Sequence, residues 1–126
     1  VPIRHQTVIA AGAIPQYRAV MRGAVDPTTQ GKTAQLPTAV SSPFFAASNN
    51  LIDAVAGDLV HVIQEGQAIG TANAAILRGQ ELVMDVNGRL GPAAGAPPEQ
   101  VVGVAEEPAA ALGDFFSYTI RVYKTA

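Results

Sequence analysis

Along the chain, apolar and polar residues alternate in short runs separated by glycine, proline and asparagine, a two-residue period that belongs to β-strands. The sharpest pattern lies in residues 54–90, AVAGDLVHVIQEGQAIGTANAAILRGQELVMDVNGRL. Two runs of strand length, 59–63 and 82–86, are each preceded by a glycine and a polar residue, Gly57-Asp58 and Gly79-Gln80. Asn87-Gly88 closes the second run, and Asn-Gly is the strongest short signal for a hairpin reversal because both residues accept positive φ. Within that run Leu82, Met84 and Val86 share one face, and Glu81, Val83 and Asp85 the other. The final stretch is clearer still: Phe116, Tyr118, Ile120 and Val122 alternate with Ser117, Thr119 and Arg121.

Read from the start, residues 1–12 are extended, with Pro2 fixing one dihedral and Thr7-Val8-Ile9 supplying strand propensity without an evident returning partner. The pattern predicts either an edge strand or an extended amino-terminal arm. As an arm it would add to another molecule through Ile3 and Val8, with Arg4 meeting an acidic group. Residues 17–25 read as the first strand of the body, with Tyr17, Ala19, Met21 and Gly23 opposed to Arg18, Val20 and Arg22. Residues 26–42, DPTTQGKTAQLPTAVSS, read as a surface loop. Phe44 and Phe45 follow; adjacent strand residues face opposite ways, so either two layers bury them or one marks an interface. A short strand is expected at 67–69 with a bend before Ile76, an exposed loop at 91–99, and about one helical turn at 107–112 between Pro108 and Gly113.

A repeat is visible. Phe44-Phe45-Ala46-Ala47, a small polar connector and Gly57-Asp58-Leu59 form one copy; Val101-Val102-Gly103-Val104, the connector 105–112 and Gly113-Asp114-Phe115 form the other. Two copies of strand, loop, Gly-Asp turn and strand predict a barrel or sandwich with internal symmetry. The fold expected is all-β: a small antiparallel β-barrel with long loops, divided into an extended arm over 1–12 and a single β domain over 13–126.

Composition narrows the function. With 126 residues, 14% charged, 12 glycines and 9 prolines, the chain suits a turn-rich β body rather than long polar helices. The net charge of −2 and the lack of any basic cluster make nucleic acid and anionic membranes poor partners. Zero cysteines exclude disulfides and thiolate metal sites and fit synthesis in a reducing cytosol. Residues 7–14 are too short and too mildly apolar for a secretory core, and no run approaches the ~20 residues that span a bilayer, so a soluble protein without an export signal is expected.

The search for chemistry returns little. His5 and His61 are the only histidines, and His61 shares a strand face with Leu59 and Ile63, which favours a partly buried, hydrogen-bonded imidazole over a ligand. Asp58 and Asp114 follow turn glycines, where the side chain binds its own backbone. Glu106 and Glu107 are neighbours in a loop and hold no fixed acid–base separation. No phosphate-cradling loop and no nucleophile elbow are present. The expectation is therefore a protein that is not an enzyme, with no catalytic, cofactor or metal site.

Residues 54–66, AVAGDLVHVIQEG, and 100–123, QVVGVAEEPAAALGDFFSYTIRVY, resemble the repeated phrases of the small capsid decoration, or cement, proteins of tailed bacteriophages. The middle phrase at 76–93, ILRGQELVMDVNGRLGPA, resembles theirs in Gly79, Asp85 and Asn87-Gly88. The resemblance covers roughly 44–123. It implies a β-tulip-like or small-barrel body, made in the host cytoplasm, that sits on the outer capsid surface of the virion. It implies a homotrimer at local threefold positions that bridges major capsid subunits. The residues expected to touch the capsid or a sister subunit are Ile3, Arg4, Val8, Phe44, Phe45, Phe115 and Tyr123. A phage tail or fibre module is the alternative from the same world. A biotinyl- or lipoyl-type carrier domain is the alternative from another class, but it needs a lysine at the hairpin tip, and the only lysines are Lys32 and Lys124.

Overall fold

The computed structural model describes residues 4–23, 33–38, 42–50, 52–93 and 100–124. Every regular element among them is a strand. The first half contributes β1 (Arg4–Ala10), β2 (Ala19–Arg22), β3 (Thr33–Gln35), β4 (Ala46–Ser48) and β5 (Leu59–Glu65). They close into a barrel in the order β1-β3-β2-β4-β5. The second half contributes β6 (Gln67–Thr71), β7 (Glu81–Met84), β8 (Leu90–Pro92), β9 (Gln100–Ala105) and β10 (Phe115–Lys124), a sheet in the order β6-β10-β9-β7-β8. A single parallel bridge between Ala72 and Leu90 joins the two ends of that sheet. The all-β expectation holds, and the body consists of two small barrels in tandem.

The two barrels are the same construction in the same register. Ile9 pairs with Leu59 as Thr71 pairs with Phe115, and Ala47 pairs with Ile63 as Val104 pairs with Thr119. Ala19 pairs with Ala47 as Glu81 pairs with Val104. Ala10 lies parallel to Ala34, and Ala72 to Leu90. Ile14 bridges Ala54, and Ile76 bridges Ala109. Even the turns agree: Gly57 donates its N–H to Ala10 O at 2.8 Å, and Gly113 does the same to Ala72 O at 2.8 Å. The repeat legible at 44–59 and 101–115 is thus one part of a duplication that spans the described chain.

Each barrel has its own core. Val8, Ala10, Ile14, Val20, Val60 and Val62 fill the first; Ile76, Leu82, Met84, Leu90, Phe116 and Tyr118 fill the second. Strands this short give a narrow interior, so small residues and glycine must stand where backbones approach. Between the barrels the chain has one residue, Gly66, whose φ of 98° reverses it from β5 directly into β6.

Several expectations need correction. Residues 4–10 are not an arm. β1 pairs antiparallel with β5 and parallel with β3, and so closes the first barrel. Its partner stands some fifty residues downstream, which is why no local return is visible in the sequence. The stretch 26–42 is not all loop, because Thr33–Gln35 is the strand that bridges β1 and β2. Residues 107–112 form no helical turn; Ala109 is held flat against Ile76 by paired backbone bonds of 3.0 and 2.8 Å. Tyr17 precedes β2 rather than opening it, and β7 stops at Met84, leaving Val86 in the turn. In β10 a register shift between Ile120 and Tyr123 opposes one extra residue to β9, which leaves Val122 half-exposed despite the alternation.

Candidate functional site

The residues with the most to offer a partner lie along the seam between the barrels and on the rim of the first. At the seam Phe44 and Phe45 part company, each packing against the core of a different barrel. Phe44 N–H donates to Gln100 Oε1 at 2.9 Å, and Gln100 Nε2 donates to Ser42 O at 2.8 Å, so one glutamine of β9 grips the strand approach to β4. Phe45 N–H donates to Val20 O, and the Arg22 guanidinium lies 4.2 Å from the centre of its ring, a cation–π contact. Met21, Arg22, Pro43, Phe44 and Phe45 line an open cleft of about 310 Å³. Both phenylalanines are half-buried, which matches burial by different layers and leaves their edges at the cleft.

Phe115 is 52% exposed, yet its ring meets Tyr17 of the first barrel edge-on, with centroids 5.0 Å apart. Tyr17 was not singled out by the pattern as a special position. It has φ of 52°, and its counterpart in the second barrel is Gly79, with φ of 85°. A tyrosine in left-handed backbone persists only when its surroundings hold it there. Asn50 Oδ1 accepts its N–H at 3.2 Å, Thr71 donates its hydroxyl to Tyr17 O at 3.0 Å, and the ring is nearly buried. The signal in the sequence was the alignment of the repeat one step further upstream.

The hairpin tip at 86–88 is the other half of the seam. Ala19 N–H donates to Gly88 O at 2.7 Å, and Arg18 Nη1 donates to Asn87 O at 2.9 Å. Burial and the neighbouring Arg89 lower the Arg18 pKa, but it stays a cation at any ordinary pH. Gly88, with φ of 72°, has no room for a Cβ, which would stand 2.5 Å from Ala19 O. This tip is therefore docked on the first barrel and carries no lysine, the reverse of a carrier domain's exposed modification hairpin.

The remaining expected contact residues are scattered. Val8 is buried in the first barrel opposite Val60 and presents nothing to a partner. Arg4 pairs through its backbone with Glu65, and its side chain lies outside the described part; Ile3 lies outside the described residues. Tyr123 is half-buried at the far end of β10, with the Arg121 guanidinium 5.6 Å from its ring, and the bulge separates it from the Phe115 face. His61 stands on the exposed outer face beside Leu59, while Ile63 is covered by the second barrel.

The carboxylates are occupied with backbone. Asp58 Oδ2 accepts Val55 N–H at 3.0 Å, and Asp114 Oδ2 accepts Ala110 and Ala111 N–H at 3.1 Å each, the turn role expected of them. Asp85 Oδ1 accepts the N–H of Asn87 and Arg89. Glu106 accepts the Thr119 hydroxyl at 2.6 Å, and Glu107 accepts both the N–H and the hydroxyl of Ser117, which hold its carboxyl below the ordinary range. Burial pushes the Tyr118 hydroxyl well above its usual pKa and keeps it protonated. Among the described residues no three His, Asp or Glu side chains group to hold a metal ion.

Comparison with known proteins gives one informative likeness. No protein-family model and no curated protein sequence matches the chain. The fold is similar to that in the crystal structure of the head fiber gp8.5 N base in bacteriophage phi29. The TM-score is 0.63 at 19% identity, over 99% of each chain. At that identity the likeness establishes a shared fold, and because it runs end to end it includes both barrels.

Proposed function

We propose that this chain is a structural virion protein that binds the outer surface of an icosahedral phage capsid and stabilises the shell by bridging major capsid subunits. The observation that carries the reading is the end-to-end likeness of both barrels to the base of a phage head fibre. The engagement of Asp58, Asp114, Glu106 and Glu107 with backbone and hydroxyl groups supports a binding role rather than acid–base catalysis. Binding would act by mass action: a protein that grips only the assembled lattice stabilises it by about 2.7 kcal/mol per site at a hundred times its Kd. Self-association as a homotrimer belongs to the same reading and places several grips on one lattice position.

A second reading is favoured by the neighbour's own description. The chain is then the base of a fibre planted on the head, and capsid attachment rather than reinforcement is its task. Co-sedimentation with purified expanded shells, followed by their thermal rupture, tests both. Saturable binding with a raised rupture temperature is expected; binding without that rise supports the fibre base, and absence of binding to shells removes both.

A further inference from the structure

The two barrels touch through different faces. The first barrel offers the turn at 15–18 with Ala19, Ala47 and Ile63, and the second receives it with Thr71, Gly88 and Phe115 at the rim of its core. Such a contact is head to tail, and between like units it leaves each face unused once, at opposite ends of the pair. The unused offering face is the turn Leu77-Arg78-Gly79-Gln80 of the second barrel, the counterpart of 15–18. The unused receiving face is on the first barrel around Leu59, the counterpart of Phe115.

Both faces are open, and their chemistry matches. Leu59 is 74% exposed and Ile52 78%, and with Asp53 and Asp58 they line a cleft of about 280 Å³. The opposing turn carries Leu77, 68% exposed, next to an exposed Arg78. An apolar side chain flanked by a cation would thus meet an apolar rim flanked by two carboxylates. We infer that a second copy of this chain docks here, the 77–80 turn of one molecule seating in the Leu59 cleft of the next. The contact between molecules then repeats the contact between barrels. It is the weaker of the two, because Glu81, Val104 and Thr119 stand where the inner contact has Ala19, Ala47 and Ile63.

The inference rests on the self-association in the proposed function and names its surface. The chain has 0 cysteines, so single cysteines report neighbours without background. Leu59→Cys and Arg78→Cys chains, mixed and oxidised with diamide, should cross-link to each other and not to themselves. Light scattering at micromolar concentration should find an oligomer for the wild-type chain and single chains for Leu59→Asp, with unchanged circular dichroism. Leu59→Cys pairs alone would mean that like meets like, and an unchanged mass for Leu59→Asp would put the contact elsewhere; either result overturns the inference, as does a monomeric wild type. None of these readouts uses a capsid, so shell binding by the single-chain variant judges the proposed function separately.

Discussion

At the centre of the second barrel stands Tyr118; at the same register position of the first stands Val62. The residues around them compensate. Gly70 and Gly103 flank the tyrosine where Val8 and Ala46 flank the valine. A Cβ on Gly103 would lie 2.7 Å from Tyr118 Cδ2, and one on Gly70 would lie 3.0 Å from Cε1. One backbone is therefore filled in two ways, by one large ring among glycines or by several medium side chains. What the pair shares is hydrogen-bond register and turn chemistry; what differs is how volume is distributed. The fold is fixed by the former and tolerates exchange of the latter as long as the total is kept.

The largest break in this comparison comes from removing a strand. Deleting residues 4–10 takes β1 from between β5 and β3 and opens the first barrel along both sides. The loss should exceed the ~5–15 kcal/mol that stabilises a typical domain, and circular dichroism should show the first barrel unfolded. A truncated chain that kept its full β signal would show that the barrel does not need closure.

The exchange of volumes makes the next test. Gly103→Ala should destabilise the chain by about 1–3 kcal/mol through overpacking against Tyr118 and Thr119 O. The reverse change at the matching place, Ala46→Gly, should cost only about 1 kcal/mol or less. Urea unfolding of the two variants decides it, and equal losses would mean that the ring is not what sets the size of residue 103.

The smallest effect concerns Tyr17 and Gly79, one position in two conformational guises. Tyr17→Ala loses the ring's burial and its contact with Phe115 but keeps a Cβ in left-handed backbone, whereas Tyr17→Gly loses the ring and also relieves that backbone. The glycine variant should be the more stable of the two by about 1 kcal/mol. If the alanine variant is the more stable, the positive φ carries no strain.

Strand periodicity and Gly-Asp turns were legible because both are local. Asp58 and Asp114 cap the backbone as their position after glycine predicts, and the Asn87-Gly88 reversal joins β7 to β8. Phe44 and Phe45 were placed on opposite layers by alternation alone. What the sequence hid was distant pairing. Nothing near Val8 announces Val60, and nothing near Ala34 announces Ala10. The duplication was half visible: it could be read where valine and phenylalanine runs meet Gly-Asp, and not where Tyr17 replaces a glycine or Val62 a tyrosine. Of the candidate contact residues, Val8 was misplaced because an apolar residue on an unpaired strand looks like an anchor, and on a paired one it is core.

The single-residue junction at Gly66 has a consequence for any surface that recognises this chain. Two modules on a flexible linker spend conformational freedom when the second one lands. Here Ala19 is bonded to Gly88 and Tyr17 to Thr71 across the seam, so the orientation of the barrels is settled before any encounter. A lattice whose spacing matches the two units would meet the second barrel at once after the first, and a lattice with the wrong spacing could never engage both. The glycine makes the molecule a ruler.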